Sequence, residues 1–197
     1  NTLGIKGESL GHVHYGIDYL VNPDVYQLGD QLVIIGAGNA AMDVARTALR
    51  KGVRDVVVLS RSGKAAASER EVDYALADGV QILYGIHTEE ITDDGVVYRQ
   101  AELDENDEVL KVNEPQLLPA SSVIISISQG PKDKIVSTTE GLATTKKGLL
   151  FTNEQGNTTR KGIFASGDVV KGARTVVEAV KYSKQVADAM DEYLRTL

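Results

Sequence analysis

The chain has 197 residues, 42% hydrophobic and 25% charged, with a net charge of −7. That balance suits an ordinary globular protein with a buried core and argues against nucleic acid and anionic membranes as main partners. The sequence contains no cysteine, which excludes disulfides, iron–sulfur ligation and a C-x-x-C redox pair within these residues and fits a reducing, cytoplasmic compartment.

Three histidines, His12, His14 and His87, stand apart from any carboxylate at metal-ligand spacing, so no metal site is read. No apolar run reaches the roughly 18 residues that a membrane span needs, and no signal peptide is visible. The chain opens on Asn1 in a turn-rich lead-in, which reads as an excised piece of a longer polypeptide.

Residues 16–21 read as a short helix ending before Pro23. After a connection from Asp24, the apolar run Leu32 to Ile35 reads as a parallel strand buried on both faces. Gly36-Ala37-Gly38-Asn39-Ala40-Ala41 follows at once and opens a helix to Lys51, with Asn39 as its expected N-cap and Gly52 at its stop. In this G-x-G-x-x-A pattern Gly36 allows the tight turn, and Gly38 lets a pyrophosphate approach the backbone. Ala41 keeps helix and strand close, and the helix N-terminus offers free N–H groups to the anion. Asp43 is assigned to dipole complementation or a pair with Arg46.

A second strand, Val56 to Leu59, leads into Ser60-Arg61-Ser62-Gly63-Lys64. A helix from Ser68 to Ala77 follows, with Ser68 and Glu71 at capping-box spacing, then a third strand over residues 80–84. Strand and helix alternating in this order imply a parallel sheet. From His87 the texture changes. Residues 87–92, 95–103 and 108–118 read as an antiparallel meander, separated by turns rich in Asp and Gly. Those acidic turns lack calcium-loop spacing and read as solvated. Ser121 to Ser126 returns as a buried strand. Beyond Pro131, residues 148–151 and 162–165 flank a polar turn, and a long helix from Thr175 to Arg195 closes the chain. Val176, Val177, Val180, Val186, Ala187, Met190 and Leu194 give that helix an apolar face.

An NAD site carries an acid about 20 residues past the glycines to hold the ribose 2′-hydroxyl. Here the second strand ends in Ser60, Arg61 and Ser62, and Asp55 lies at its other end. A carboxylate would repel a 2′-phosphate, whereas an arginine grips it bidentately. Such a contact is worth roughly 1.5–3 kcal/mol, about tenfold to a hundredfold in affinity. Lys64 and Arg70 are near enough in sequence to help.

Several stretches together resemble the two-dinucleotide-binding-domain flavoprotein oxidoreductases, and most closely the glutamate synthase small (beta) subunit and its NADPH-dependent relatives. They are Gly36-Ala-Gly38-Asn-Ala-Ala-Met-Asp43, Ser60-Arg61-Ser62, Glu69-Arg-Glu71-Val72, Asp78-Gly79-Val80, the run from Thr158 to Asp168 and the run from Gly172 to Val180. The resemblance implies that the middle of the chain binds NADPH, through Gly36, Ala37, Gly38, Asn39, Ala40, Ala41, Ser60, Arg61, Ser62 and Arg70. It further implies that Gly167 and Asp168 meet the ribityl end of FAD and that the helix after Thr175, beginning at Val176, points at the flavin. No side chain is read as a general acid or base.

The chain departs from that family in three places. Ser60 stands where relatives often have the first of two arginines. Ser126-Ile-Ser128-Gln-Gly-Pro131 replaces a small-Ile-Gly-x-x-Pro stretch. The glycine fingerprint of an N-terminal FAD unit, and the upstream cysteines for iron–sulfur clusters, are not in this chain.

The expected architecture is α/β. A Rossmann-like three-layer NAD(P)-binding domain of parallel sheet, helices and antiparallel meander spans residues 28–124. Residues 1–27 and 125–197 are read as the remnant of an FAD-binding domain. The expected function is the pyridine-nucleotide part of a flavoprotein that passes hydride from NADPH to FAD and electrons to an acceptor. A non-catalytic nucleotide-binding or sensor module is the alternative. The expected partner is a missing FAD-binding half or partner subunit, or a second copy in a homo-oligomer, with no nucleic acid and no membrane. A thioredoxin reductase-type activity lacks its cysteine pair, and a short-chain dehydrogenase would need Tyr-x-x-x-Lys, whereas Tyr182 is followed by Lys184.

Overall fold

The computed structural model describes residues 2–127, 130, 136 and 138–196. It divides into two compact units, residues 1–129 and 130–197. In the first, five strands form a parallel sheet: β1 (Val13–Tyr15), β9 (Ser122–Ile125), β2 (Gln31–Ile35), β3 (Asp55–Leu59) and β4 (Gln81–Leu83), in that spatial order. Parallel register runs Val13↔Val123, Val33↔Val123, Val33↔Val57 and Val58↔Ile82.

Side chains alternate across this sheet, as period 2 requires. Leu32, Ile34, Val56, Val58 and Ile124 face a helical layer made by α1 (Gly16–Val21), α2 (Asn39–Arg50) and α3 (Glu69–Ala77). Val33, Ile35, Leu59, Val123 and Ile125 face the other way. There they meet Ile86, Ile91, Val96 and Tyr98 of an antiparallel layer: β5 (Ile86–Thr92), β6 (Gly95–Leu103), β7 (Val109–Val112) and β8 (Gln116–Pro119). Helices, parallel sheet and meander are the three expected layers.

Four details differ from the sequence reading. Residues 1–27 fall in the first compact unit, because β1 pairs with β9 and α1 buries Tyr19 and Gly16 on that side of the sheet. A three-residue edge strand whose partner lies far along the chain carries no local signal of that pairing. The third meander segment splits into β7 and β8, since Pro115 between them has no N–H for the ladder. Asn39 is not the cap of α2. Gly38 is, and the Asn39 side chain accepts the Ser68 N–H at 2.9 Å. For that reason Ser68 and Glu71 complete only half of a capping box at α3: Ser68 Oγ accepts the Glu71 N–H, while the Ser68 N–H is taken.

In the second unit, residues 148–151 and 162–165 each form a single bridge, Thr144↔Leu150 and Asn157↔Phe164, and Thr152↔Thr158 closes the polar turn between them. A short helix α4 (Asp168–Lys171) precedes α5 (Val176–Leu194), which Thr175 and Glu178 cap reciprocally in a complete capping box. The unusual stretch from Ser128 to Pro131 falls mostly outside the described residues. Among the described residues no helix is long and apolar enough to cross a membrane, and no His/Asp/Glu group could hold a metal ion.

Candidate nucleotide-binding site

β2, β3 and β9 all end at one edge of the sheet, and the chain leaves each of them on a small residue. Backbone bonds carry the ladder past the strand ends: Gly36 N–H to Leu59 O at 3.0 Å, Ser126 N–H to Ile35 O at 2.8 Å and Ser60 N–H to Leu83 O at 2.8 Å. A cavity of about 810 Å³ opens there, above the carboxyl ends of the strands. In open parallel sheets this is where ligands bind.

Gly36 sits at φ +113, and a Cβ there would stand 2.4 Å from the Ser126 carbonyl oxygen. Gly38 differs: a Cβ would meet nothing within 4 Å, so it would project into open space at the start of α2. Gly38 caps the helix without a side chain, its carbonyl accepting from Ala41 and Met42. The N–H groups of Asn39 and Ala40, the first two of α2, have no intrahelical acceptor and are left for an anion. Ala41 is fully buried behind the loop, as expected of the residue that keeps helix and strand close.

Gly36, Ala37, Gly38, Asn39, Ala40, Ser60, Arg61 and Ser62 all line the cavity. Among the described residues that line it, Arg61 is the one permanently charged side chain and none is a carboxylate. Among the described residues Arg61 has no ion pair or hydrogen bond. Ser60 is buried, and its hydroxyl and that of Ser62 both donate to the Lys64 carbonyl at 3.1 Å.

Arg70 does not line the cavity. Its Nε donates to the Tyr74 hydroxyl at 3.1 Å and its guanidinium lies 5.3 Å from that ring, so the i,i+4 neighbour on α3 holds it. The wall also includes Leu3, Ile5, Ile17, Ile86, His87 and Thr88, which were not read from the sequence as site residues. Their entry depends on distant segments meeting in space, which spacing along the chain does not reveal.

Gly167 and Asp168 lie in the second unit, on a separate cavity of about 730 Å³ whose wall also includes Lys171, Arg174, Glu178 and Tyr182. Asp168 begins α4, with Gly167 before it at φ +75. Lys171 Nζ lies 4.9 Å from the Tyr182 ring centroid. Thr175 and Val176 are exposed at the start of α5 and do not line this cavity.

A glycine turn between parallel strand and helix, facing a cavity with no carboxylate among its described lining residues, is the architecture of an α/β dinucleotide-binding unit. The chain belongs to the family described as pyridine nucleotide-disulphide oxidoreductase, which it matches over residues 1–183. It is 32% identical to the glutamate synthase [NADPH] small chain of Halomonas elongata over 97% of its own length and 47% of that protein. It is 31% identical to the NADP(+)-dependent formate dehydrogenase subunit beta of Moorella thermoacetica, over 99% of this chain and 30% of that one. The chain thus spans half or less of these curated relatives. Among solved structures, T. acidophilum thioredoxin reductase superposes over 100% of this chain and 62% of its own, with a TM-score of 0.78 at 21% identity. That similarity is one of fold.

Proposed function

We propose that residues 1–129 bind NADPH at the carboxyl edge of the parallel sheet. The chain would be the pyridine-nucleotide part of a cytoplasmic flavoprotein oxidoreductase resembling the glutamate synthase small chain. The observation that carries this reading is the cavity itself: its wall holds a glycine loop, a helix N-terminus and Arg61, and among its described lining residues there is no carboxylate. In a chain of net charge −7 such a wall favours a polyanionic ligand.

Each part of the chain has a task. Gly38 leaves room for the pyrophosphate, the first N–H groups of α2 bond it, and Arg61 with Ser62 holds the 2′-phosphate. Leu59 and Ile125 close the floor and keep water from the site. In the second unit, Asp168 offers a carboxylate that, among the described residues, has no partner, which suits the hydroxyls of a flavin side chain. The chain holds a single G-x-G, so the pyrophosphate of FAD would be met by residues beyond these 197, in a partner domain or subunit. Bound NADPH supplies a hydride and bound FAD accepts it; the side chains here bind and orient.

Calorimetric titration of the chain with NADPH and NADH tests this. NADPH is expected to bind more tightly, and Arg61→Ala to weaken it by about tenfold or more while leaving NADH nearly unchanged. Equal or tighter binding of NADH by the unaltered chain would overturn the reading.

A further inference from the structure

The loop that carries Arg61 is held at two places by the antiparallel layer. At the start of β5, Ile86 N–H donates to the Ser60 carbonyl at 2.9 Å and Gly85 N–H to the Ser62 carbonyl at 3.3 Å. The second contact comes from the turn between β6 and β7. Asp107 Oδ1 accepts the Gly63 N–H at 2.7 Å, two residues from Arg61.

That turn closes without help from the Asp107 side chain. Asp104 Oδ1 accepts the N–H groups of Asn106 and Glu108, each at 2.8 Å, and the Asp104 carbonyl accepts the Asp107 N–H at 3.1 Å. These backbone donors hold the Asp104 carboxyl below its usual range. Asp107 itself sits at φ 62, alone among the described non-glycine residues in having positive φ. Glycine would be less strained there, and Asp at this place turns its carboxylate onto the neighbouring loop. Gly63 is fitted to that contact, because a Cβ on it would stand 2.8 Å from Asp107 Oδ1.

We propose that Asp107 is a positioning residue for nucleotide discrimination: by holding Gly63 it fixes the Ser60–Lys64 loop so that Arg61 and Ser62 stand ready at the cavity. This rests on the cavity being the NADPH site. It makes the tip of the antiparallel layer, which no binding motif marks, part of the specificity apparatus. The neighbouring carboxylates of Asp104, Glu105 and Glu108 do not line the cavity. The Asp107 carboxylate acts as a hydrogen-bond acceptor for the loop, and its charge opposes a phosphate.

Three variants separate these effects. Asp107→Gly removes the acceptor and relaxes φ. Gly63→Ala displaces the carboxylate while keeping its charge. Asp107→Asn keeps an acceptor on a residue type that tolerates left-handed φ and removes the charge. In titrations of the folded chain, the first two are expected to lower NADPH affinity by roughly threefold to tenfold. NADH affinity should change much less, since the loop would touch only the 2′-phosphate end. Asp107→Asn should keep NADPH affinity at or above that of the unaltered chain. Melting curves check that each variant is folded. NADPH preference undiminished in both Asp107→Gly and Gly63→Ala would overturn this inference alone, as would Asp107→Asn falling as far as Asp107→Gly. Absence of NADPH preference in the unaltered chain would overturn the cavity reading and this inference with it.

Discussion

Gly36 and Gly38 stand two residues apart and are glycines for unlike reasons. At Gly36 both the left-handed φ of +113 and the Ser126 carbonyl, 2.4 Å from where a Cβ would stand, forbid a side chain, so its role is within the fold. At Gly38 nothing crowds the backbone, and the missing side chain serves only what lies outside it. The two substitutions should therefore part company. Gly38→Val is expected to leave the melting temperature close to that of the unaltered chain while abolishing measurable binding of NADPH and NADH alike. Gly36→Val is expected to lower the melting temperature itself, by the equivalent of about 2 kcal/mol or more. Thermal melts beside nucleotide titrations read both; a Gly38→Val protein that still binds either nucleotide would remove the pyrophosphate from this loop.

At the scale of elements, two arginines tie α2 to Asp78 at the end of α3: Arg50, whose NH2 lies 3.7 Å from Asp78 Oδ2, and Arg46, which makes the closer contact. Arg46 Nε donates to Asp78 Oδ2 at 2.7 Å, its NH1 lies 3.6 Å from Glu71, and its guanidinium lies 5.1 Å from the Tyr74 ring. The intrahelical Asp43–Arg46 pair considered from spacing does not form a salt bridge; Arg46 turns to α3 instead. Burial, with Glu71 adding to it, raises the Asp43 carboxyl above its ordinary value. The hydrogen bond from Arg46 holds Asp78 below the usual carboxylate range. A carboxyl depressed on folding contributes stability above its unfolded pKa and loses it as pH falls through the folded value. The stability gap between the unaltered chain and Asp78→Asn should thus be full near neutrality and close as pH drops below about 4. Melting temperatures across that range test the sign; a gap that widens on acidification would contradict it.

For the molecule as a whole, the surface of α5 is telling. Val186 packs against Gly156, Tyr182 reaches Thr152 and the Asn153 carbonyl, and Tyr193 meets Phe164 edge-on at 5.7 Å. Of the apolar stripe read from the sequence, Val186 is buried in these contacts, whereas Val176, Val177, Val180, Met190 and Leu194 are large and exposed, Val176 by 78%. Exposed apolar side chains grouped as Val176, Val177 and Val180 are at the start of the helix are normally covered by something. Under the proposed function that cover comes with the FAD-binding half, so the chain alone should purify without colour and should self-associate as its concentration rises. Sedimentation velocity and the visible spectrum after gel filtration read this. Stoichiometric flavin on the isolated chain would show that these residues hold FAD unaided, contrary to the proposal.

Much of the first unit is legible along the chain because its signals are local. A buried strand is a run of four apolar residues, a helix start is a small-residue turn, and Thr175 with Glu178 or Ser68 with Glu71 mark a helix entry within four positions. Arg61 and the absent acid are likewise a matter of which residue follows a strand. What only the tertiary structure decided are relations between distant segments. β1 joins β9 through backbone bonds that any sequence can make, so residues 1–27 pack into the first unit without a side chain to announce it. Asn39 left its helix cap because the Ser68 N–H, brought close by packing, offered a better partner. Asp107 reaches Gly63 only once two layers are folded together. A hydrogen bond between segments far apart in sequence leaves no periodicity in either, and its existence is set by the cores that bring the segments into range.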